Sequence, residues 1–324
     1  TVSVLLDKMC KLERGEAAIA FSSGMAAIAN AILGLVEAGD RIVCVQHVYP
    51  DTYRLLKGPC ARFGITTDFV DGRDLGAIEA ALPGAKLLYL ESPNTWLMQE
   101  QDLRAIATLA QAANVTTVVD NSWASPVFQK PLTAGIDLVV HSASKYISGH
   151  SDTVAGLMVG RKAIIDNLKL ETMPYFGAKL SAQEAALLLR GLRTLLLRLA
   201  RHQESGLRIA KQLQNHQSIL RVHHPALSPP EHSLLTGYGG LFSFEVDERI
   251  DIPKFCDALE LFRLGVSWGG HESLVMPAEV SINQAGKYCA AVDFGVSPRT
   301  IRLFVGLEDP DELWDDLLGA FAVA

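Results

Sequence analysis

The residue of this sequence that is best suited to chemistry is a lysine inside a turn rich in serine, glycine and histidine. Lys145 lies in the run His141-Ser-Ala-Ser-Lys-Tyr-Ile-Ser-Gly-His-Ser151, directly after an apolar segment. Apolar neighbours would desolvate its ammonium group and lower its pKa toward the range in which an amine acts as nucleophile and base. A lysine in a turn is normally a solvated charge, so this interpretation needs a second, matching residue.

A carboxylate that ends another apolar segment supplies that match. Asp120 follows Val118 and Val119 and precedes Lys145 by 25 residues. An aspartate and a lysine at adjacent strand ends are what a pyridoxal phosphate site requires. The lysine bonds the cofactor, and the carboxylate keeps the pyridinium nitrogen protonated so that the ring accepts carbanion charge. The alternative is that the Asp-Asn pair only forms a turn or caps a helix.

Such a cofactor also needs an anion site for its phosphate. The run Ser22-Ser-Gly-Met25 lies where a strand meets a helix, and backbone N–H groups at a helix N-terminus favour an anion. Gly24 allows the backbone to approach the phosphate closely, and Ser142 and Ser144 can add hydroxyl groups. A lone turn of this kind usually serves only as a tight connection, so the order of all these residues in one chain carries the prediction.

An aromatic residue at the end of a further strand completes the predicted site. Tyr49 lies in the run Val48-Tyr-Pro-Asp-Thr52 and could stack on the pyridine ring. Taken alone, a tyrosine at this place belongs to the core or its rim as often as to a site.

Strands and helices alternate along the first half of the chain and must position these residues. The apolar segments predict strands at residues 17–21, 41–45, 65–70, 86–90, 116–119 and 136–141, with helices at 75–82 and 103–113 and another that ends at Leu35. This alternation predicts a mostly parallel sheet with helices on both faces. Because ligands bind at the carboxyl ends of such strands, we expect Ser22, Glu91, Asp120 and Ser142 to face a common crevice.

The second half of the chain predicts a smaller α/β domain. Residues 182–214 form a long helical segment, followed by strands at 240–246, 266–268 and 300–305 and helices at 253–262 and 312–321. We therefore predict a large domain at residues 1–195 and a C-terminal domain at 196–324 that is entered by a long linking helix.

Composition excludes several other classes of protein. The chain has 324 residues, 49% of them hydrophobic, and a net charge of −7, which excludes a disordered chain and offers no basic field for nucleic acid. Its five cysteines are scattered and form no CxxC pair, so neither a disulfide scaffold nor a metal site is expected. No apolar run approaches the length of a membrane span, and the start lacks the features of a signal peptide. The composition predicts a cytoplasmic protein.

The motifs described above together resemble those of one known family. Residues 141–152 resemble the cofactor-lysine signature of the Cys/Met-metabolism family of pyridoxal-phosphate-dependent enzymes, within the fold-type I, aspartate aminotransferase-like group. The runs SSGMAAI, ESP and DNSWASP follow in that family's order and spacing, and the resemblance covers essentially the whole chain. It implies an α/β fold with a large, mostly parallel sheet domain and a smaller C-terminal α/β domain.

The resemblance also implies a role for each site residue. Lys145 becomes the Schiff-base lysine, Asp120 the partner of the pyridine nitrogen, and Tyr49 the stacking aromatic and a second catalytic residue. The residues implied for the remaining cofactor contacts are Ser23, Gly24, Met25, Ser142 and Ser144.

The C-terminal half resembles the bacterial cystathionine β-lyase branch of the family. Residues 266–274 and 300–309 carry this likeness, and Trp268 discriminates because the γ-synthase and γ-lyase branches usually read Ser-Leu-Gly-Gly there. The resemblance implies that Arg302 binds the substrate α-carboxylate and that Ser267 and Trp268 also contact the substrate. An arginine in a strand can instead form a structural ion pair. Nearby Arg299 is the competing candidate for the carboxylate.

The implied reaction is α,β-elimination of L-cystathionine to homocysteine, pyruvate and ammonia, as a step of methionine biosynthesis. One alternative is a γ-replacement or γ-elimination enzyme of the cystathionine γ-synthase or homoserine sulfhydrylase type. Another is a relative without catalytic activity that binds or regulates.

Three departures from the family pattern bear on the site and its assembly. Pro50 and Asp51 stand where the family usually has two glycines, and Thr95 stands at a position that commonly carries asparagine. The family's Tyr-x-Arg motif, which reaches the phosphate of a neighbouring subunit, does not occur before the first helix, so we expect that an N-terminal arm is missing from the sequence. The resemblance implies a homotetramer, a dimer of dimers with active sites shared between subunits.

Overall fold

A seven-stranded sheet is the central feature of the structure, a computed structural model that describes residues 1–284 and 286–324. Its strands are β1 (Ala17–Phe21), β2 (Arg41–Val45), β3 (Thr66–Val70), β4 (Leu87–Glu91), β5 (Thr116–Asp120), β6 (Leu138–Ser142) and β7 (Gly156–Gly160). The order across the sheet is β1-β7-β6-β5-β4-β2-β3. The pairs from β3 to β6 are parallel, as the sequence predicts, so the carboxyl ends of these strands lie at one edge.

The strand β7 was not predicted, and it runs antiparallel to both β1 and β6. Glycines at both of its ends weaken the strand signal in the sequence. These glycines are needed for close packing, because a Cβ atom at Gly156 would lie 2.1 Å from the carbonyl oxygen of Ser23. The connection from β6 to β7 is the segment that carries Lys145, so this antiparallel pair holds both ends of the lysine turn.

Fourteen helices surround the two sheets in the described part of the chain. They are α1 (Val2–Glu13), α2 (Gly24–Leu33), α3 (Pro50–Leu55), α4 (Leu75–Ala81), α5 (Leu103–Ala112), α6 (Ser125–Phe128), α7 (Lys162–Glu171), α8 (Met173–Phe176), α9 (Ala182–Leu192), α10 (Leu195–Gln214), α11 (Ile252–Ala258), α12 (Ala278–Gln284), α13 (Ala290–Asp293) and α14 (Pro310–Val323). Local chemistry explains where several begin: the Asp102 carboxylate accepts from the Ala105 N–H at 3.0 Å, and Ser181 and Glu184 form a capping box. None of the described helices is long and apolar enough to cross a membrane.

Both faces of the large sheet are buried. Ile19 and Phe21 pack in one hydrophobic cluster with α2, α4 and α5, whereas Ala18 and Ala20 pack in another with α1 and α9. Because alternate residues of a strand point to opposite faces, helices cover the sheet on both sides.

A smaller sheet of five strands lies in the C-terminal half. It comprises β8 (Ile219–His223), β9 (Leu241–Val246), β10 (Arg263–Leu264), β11 (Leu274–Pro277) and β12 (Thr300–Phe304), in the order β10-β11-β12-β9-β8. Helices α10, α11 and α14 pack against it in a core of its own. The predicted helical segment 182–214 is two helices, α9 and α10, and the predicted boundary at residue 195 stays a prediction.

The strand predicted at residues 266–268 is wrong, because this segment pairs with no strand in the described part of the chain. Val266 is 64% exposed, and Gly269 adopts φ 86°. A Cβ atom at Gly269 would lie 2.8 Å from the backbone of Lys145, so close contact with the lysine turn shapes this segment.

Candidate active site

The carboxyl ends of the parallel strands open into a cavity of about 960 Å³. Three of the four strand-end residues expected to share a crevice, Glu91, Asp120 and Ser142, line it, whereas Ser22 does not. Every residue predicted for the site also lines this cavity: Ser23, Gly24, Met25, Tyr49, Asp120, Ser142, Ser144, Lys145, Ser267, Trp268 and Arg302. The fold therefore brings together side chains that are up to 279 positions apart in the chain, between Ser23 and Arg302.

Hydrogen bonds in the turn after β6 hold Lys145 in the lining of the cavity. The Gly149 N–H donates to the Lys145 carbonyl at 2.8 Å, and the Ala155 N–H donates to the Ser144 hydroxyl at 3.0 Å. The Lys145 Nζ atom donates to the Ser267 hydroxyl at 2.9 Å and lies 5.3 Å from the centre of the Trp268 ring.

The surroundings of Lys145 make its neutral amine more accessible than that of an exposed lysine. Burial, together with the positive charge of Arg302, lowers the pKa of Lys145 to about 8, while the charge of Asp120 acts in the opposite direction. An amine with such a pKa is available as a nucleophile and base at near-neutral pH.

Two buried carboxyl groups lie side by side at the ends of β4 and β5. Glu91 and Asp120 are partners in the register of the parallel strands. Burial, with the negative charge of Asp120, raises the pKa of Glu91 to about 8. Burial also raises the pKa of Asp120, but the Ser122 N–H, which donates to it at 2.9 Å, opposes this shift, as do the charges of His141 and Lys145. Near neutral pH, Glu91 therefore favours its protonated form, which relieves the repulsion between the two carboxyl groups.

The sequence predicts that Glu91 ends a strand and faces the crevice, but it predicts no role for this residue. Its carboxyl group accepts from the Tyr49 N–H at 2.7 Å and from the Thr95 hydroxyl at 2.5 Å. Glu91 thus connects the loop that carries Tyr49 to the turn after β4. The signal that could have revealed it is the register of β4 and β5, which requires the tertiary fold.

We expect that Glu91→Gln raises stability at alkaline pH relative to the parent. The folded-state pKa of Glu91 is raised from its ordinary value of 4.5 to about 8, so the folded state disfavours the ionised form. As pH rises from about 4.5 to 8, ionisation costs the parent protein stability that a neutral amide does not lose. The difference in Tm between Glu91→Gln and the parent should grow between about pH 5 and pH 9; a difference that is constant over this range would contradict a protonated Glu91.

The N-terminus of α2 is the candidate anion site. The Ser23 hydroxyl caps the helix by accepting from the Ala26 N–H at 3.0 Å, and the N–H groups of the first turn have no partner within the helix. A Cβ atom at Gly24 would lie 2.8 Å from the Ser142 Cβ atom and 2.9 Å from its hydroxyl. Only glycine therefore allows the helix to approach the serine at the end of β6, and this cradle fits a phosphate.

We expect that Gly24→Ala weakens cofactor binding by about tenfold or more, because the added methyl group must displace Ser142 from the anion site. The measurement is the equilibrium dissociation constant of the cofactor, followed by its absorbance during titration of the apoprotein. Gly319→Ala is the matched control, since no atom lies within 4 Å of a Cβ atom there. Equal cofactor affinity in both variants would contradict the assignment of the cradle.

Tyr49 and Arg302 face the cavity from opposite domains of the chain. The Tyr49 hydroxyl donates to the Asp51 carboxylate at 3.0 Å, and Asp51 also pairs with Arg54. Burial and the charge of Asp51 raise the pKa of Tyr49 to about 12, so the phenol keeps its proton. Asp51, one of the departures from the family pattern, thus contacts a predicted site residue directly.

Arg302 is the arginine that the structure places in the cavity. It is 7% exposed, and burial lowers its pKa to about 10, although it remains charged at neutral pH. The competing candidate, Arg299, instead donates to the backbone carbonyls of Asp247 and Ile250 and does not line the cavity.

Comparison with known proteins identifies the class to which this fold and site belong. A sequence model of the family of Cys/Met metabolism PLP-dependent enzymes matches residues 1–322. The chain is 38% identical over 326 residues to an L-methionine gamma-lyase of Pseudomonas deceptionensis, with 98% of this chain and 82% of that protein covered. It is 34% identical over 331 residues to cystathionine beta-lyase MetC of Escherichia coli strain K12, with 98% and 82% covered. The crystal structure of cystathionine gamma-lyase from Lactobacillus plantarum complexed with L-serine has a TM-score of 0.93 and 37% identity, covering 98% of this chain and 85% of that one.

The chain therefore belongs to the Cys/Met metabolism family of PLP-dependent enzymes, and its fold is fold-type I. The predicted family, fold class and cofactor, pyridoxal 5'-phosphate, are confirmed. The cavity fits this cofactor, because it combines a lysine whose pKa is lowered, a buried aspartate at a neighbouring strand end and a helix N-terminus that only glycine can bring close. The relatives include beta-lyases and gamma-lyases, so membership alone defines a lyase of sulfur amino-acid metabolism and leaves the bond that is cleaved open.

Proposed function

We propose that the protein is a carbon–sulfur lyase that catalyses the α,β-elimination of L-cystathionine to homocysteine, pyruvate and ammonia. The observation that carries this proposal is the position of Trp268, whose ring centre lies 5.3 Å from the Lys145 Nζ atom. A bulky ring at this place restricts the arc through which the amine can move. Such a restriction favours a single proton removal at Cα over the repeated proton transfers that γ-chemistry requires. The likeness of residues 266–274 to the β-lyase branch supports the same reaction.

Residues of this chain that line the cavity would hold the bound cofactor. When bound, pyridoxal 5'-phosphate supplies an electron sink for the charge that develops at the substrate Cα atom. Lys145 would hold it covalently, Asp120 would keep its pyridine nitrogen protonated, and Tyr49 would cover its ring. The residues that would hold its phosphate are Ser23, Gly24, Met25, Ser142 and Ser144.

Lys145 and Tyr49 divide the proton transfers between them. Once the substrate amine has replaced it, the free Lys145 amine, with a pKa of about 8, takes the Cα proton. The electron pair left on Cα forms the new double bond to Cβ, and the C–S bond breaks with its pair on sulfur. Tyr49, whose pKa is about 12, keeps its proton until it can donate it to the leaving thiolate.

Arg302 would bind the substrate α-carboxylate. Its guanidinium group is buried and presents a planar fork of N–H donors, which matches the two oxygens of a carboxylate. Ser267 and Trp268 line the same cavity as Arg302, and the Ser267 hydroxyl accepts from the Lys145 Nζ atom at 2.9 Å.

The products formed from L-cystathionine test this proposal. β-Elimination gives pyruvate and homocysteine, whereas γ-elimination gives 2-oxobutyrate and cysteine, so the keto acid alone decides between them. We expect the parent protein to form pyruvate as its main keto acid. The variant Trp268→Leu, which introduces the residue usual in the γ branches, should form a larger share of 2-oxobutyrate. A parent protein that forms mainly 2-oxobutyrate would exclude β-elimination as its principal reaction.

A γ-elimination or γ-replacement enzyme, of the cystathionine γ-synthase or homoserine sulfhydrylase type, is the second candidate. It is favoured by the 38% identity to an L-methionine gamma-lyase and by the 37% identity to a solved cystathionine gamma-lyase. Incubation with O-acyl-homoserines and cysteine or sulfide should give a thioether or homocysteine if this candidate is correct, and no new amino acid if the first proposal is correct.

The oligomeric state, the cellular location and the pathway of the protein are predictions that belong to the same proposal. We infer a homotetramer with sites shared between subunits, which is consistent with exposed apolar side chains around α7 and α8, namely Leu170, Tyr175 and Phe176 at 69%, 79% and 54% exposure. Light scattering after size-exclusion chromatography should give four times the mass of one chain. A cytoplasmic location and a part in methionine biosynthesis also remain predictions.

A further inference from the structure

A tryptophan ring lies against the guanidinium group of Arg302. The Arg302 Cζ atom is 5.3 Å from the centre of the Trp96 ring, and both residues are buried. Within the described part of the chain, no acidic side chain forms an ion pair with Arg302. Two contacts that offset the burial of this cation are the Trp96 ring and the Val266 carbonyl, which accepts from the Arg302 Nη2 atom at 2.6 Å.

The backbone of Trp96 is held in an unfavourable conformation by its neighbours. Its φ is 71°, in the left-handed region that costs energy for a bulky residue. The turn is closed by reciprocal bonds between Asn94 and Gln99: the Asn94 N–H donates to the Gln99 carbonyl, and the Gln99 N–H donates to the Asn94 side chain, each at 3.0 Å. The Ser243 hydroxyl donates to the Trp96 carbonyl, and Ser243 is the partner of Arg302 in the register of β9 and β12. The same strand pair therefore fixes both the ring and the cation.

Packing prevents the ring from moving away from the arginine. Trp96 forms a hydrophobic cluster with Met276, Ala278, Ala291 and Val296. Met276 is also the partner of Arg302 in the register of β11 and β12. The ring is thus held between this cluster and the guanidinium group.

We propose that Trp96 is a positioning residue that holds the guanidinium plane of Arg302 in the orientation required to bind the carboxylate of an amino-acid substrate. This inference rests on the proposed role of Arg302. A cation that lies over an aromatic ring keeps its N–H donors free in its own plane, and the Val266 carbonyl engages one edge of the fork. The remaining N–H donors stay available to a carboxylate, so Trp96 would increase selectivity for a carboxylate over a neutral group.

The test compares two ligands in variants of the cofactor-loaded protein. L-Alanine carries the carboxylate but no leaving group at Cβ, and L-alaninamide is the same molecule with a neutral amide. Calorimetry should show that Trp96→Leu binds L-alanine about tenfold more weakly than the parent and binds L-alaninamide equally well. Trp96→Phe, which keeps an aromatic face, should lose less than about threefold. In the elimination assay, Trp96→Leu should raise KM by about the same factor by which it weakens L-alanine binding, while kcat stays within about twofold.

Two results would overturn the inference: unchanged binding of L-alanine by Trp96→Leu, or an equal loss for both ligands, which would mean that the ring only supports the turn. If Trp96→Leu does not retain cofactor, Ser243→Ala tests the inference instead. This variant removes the hydrogen bond to the Trp96 carbonyl but keeps the Trp96 ring. It should weaken L-alanine binding about threefold without changing L-alaninamide binding, and an unchanged affinity for L-alanine would again overturn the inference. Arg302→Gln distinguishes the role of Trp96 from that of Arg302. If this variant binds L-alanine as tightly as the parent does, the proposed role of Arg302 itself is wrong.

Discussion

Lys145→Ala will abolish carbon–sulfur cleavage and remove the visible absorbance of lysine-bound cofactor. Lys145 has two tasks in the proposed reaction, since it holds the cofactor and takes the Cα proton, and alanine can perform neither. We expect turnover to fall by more than about a thousandfold, because general-base catalysis alone contributes up to about four orders of magnitude. Turnover of L-cystathionine and the visible spectrum are measured on the same preparation.

Lys130→Ala is the matched control for this variant. Burial also lowers the pKa of Lys130, but its Nζ atom donates to the Pro126 carbonyl and the residue does not line the cavity. It should therefore keep both turnover and absorbance. Retention of either property by Lys145→Ala would show that another residue performs the chemistry.

Asp120→Asn should reduce kcat by about a hundredfold or more and change the pH profile. The amide oxygen can still accept from the Ser122 N–H, so the variant removes the negative charge and keeps the local hydrogen bond. Loss of one electrostatic contact of this kind costs about two to three orders of magnitude in rate. Since the charge of Asp120 raises the pKa of Lys145, its removal should move the acidic limb of the profile to lower pH, below the value of about 8 for the parent.

A buried aspartate outside the cavity provides the comparison for Asp120. Asp137 directly precedes β6 and accepts from the Thr117 N–H on β5 at 2.9 Å. Asp137→Asn should lower Tm without moving the pH profile or the cofactor spectrum. An acidic limb that stays in place or moves to higher pH in Asp120→Asn would contradict the electrostatic link between Asp120 and Lys145.

The sequence predicts the parallel part of the large sheet well, because continuous apolar runs identify strands that are buried on both faces. β1 and β2 have the predicted bounds. Two errors have tertiary causes. The strand β7 was missed because the glycines at its two ends weaken the strand signal, although they allow close packing against the Ser23 turn. Residues 266–268 were predicted as a strand because they begin with an apolar residue, but contact with the lysine turn determines the shape of this segment.

Some residues of the site could also be predicted from the sequence, and others could not. Lys145, Asp120 and the Gly24 turn could be predicted because their types and their places at strand ends are local features. Glu91 and Trp96 could not, since the protonation of Glu91 depends on a neighbouring strand and the role proposed for Trp96 depends on an arginine 206 positions later in the chain. Their chemistry follows from packing, which no local pattern contains.

The most direct test of the central claim is to locate the covalent link between cofactor and protein. Borohydride reduction fixes the cofactor to the amine that it is bonded to, and mass spectrometry of a digest then identifies the modified lysine. We predict a single modified peptide in which Lys145 carries the cofactor, and no modification of Lys130. A cofactor fixed to any other lysine, or to none, would contradict the proposed site and the mechanism that depends on it.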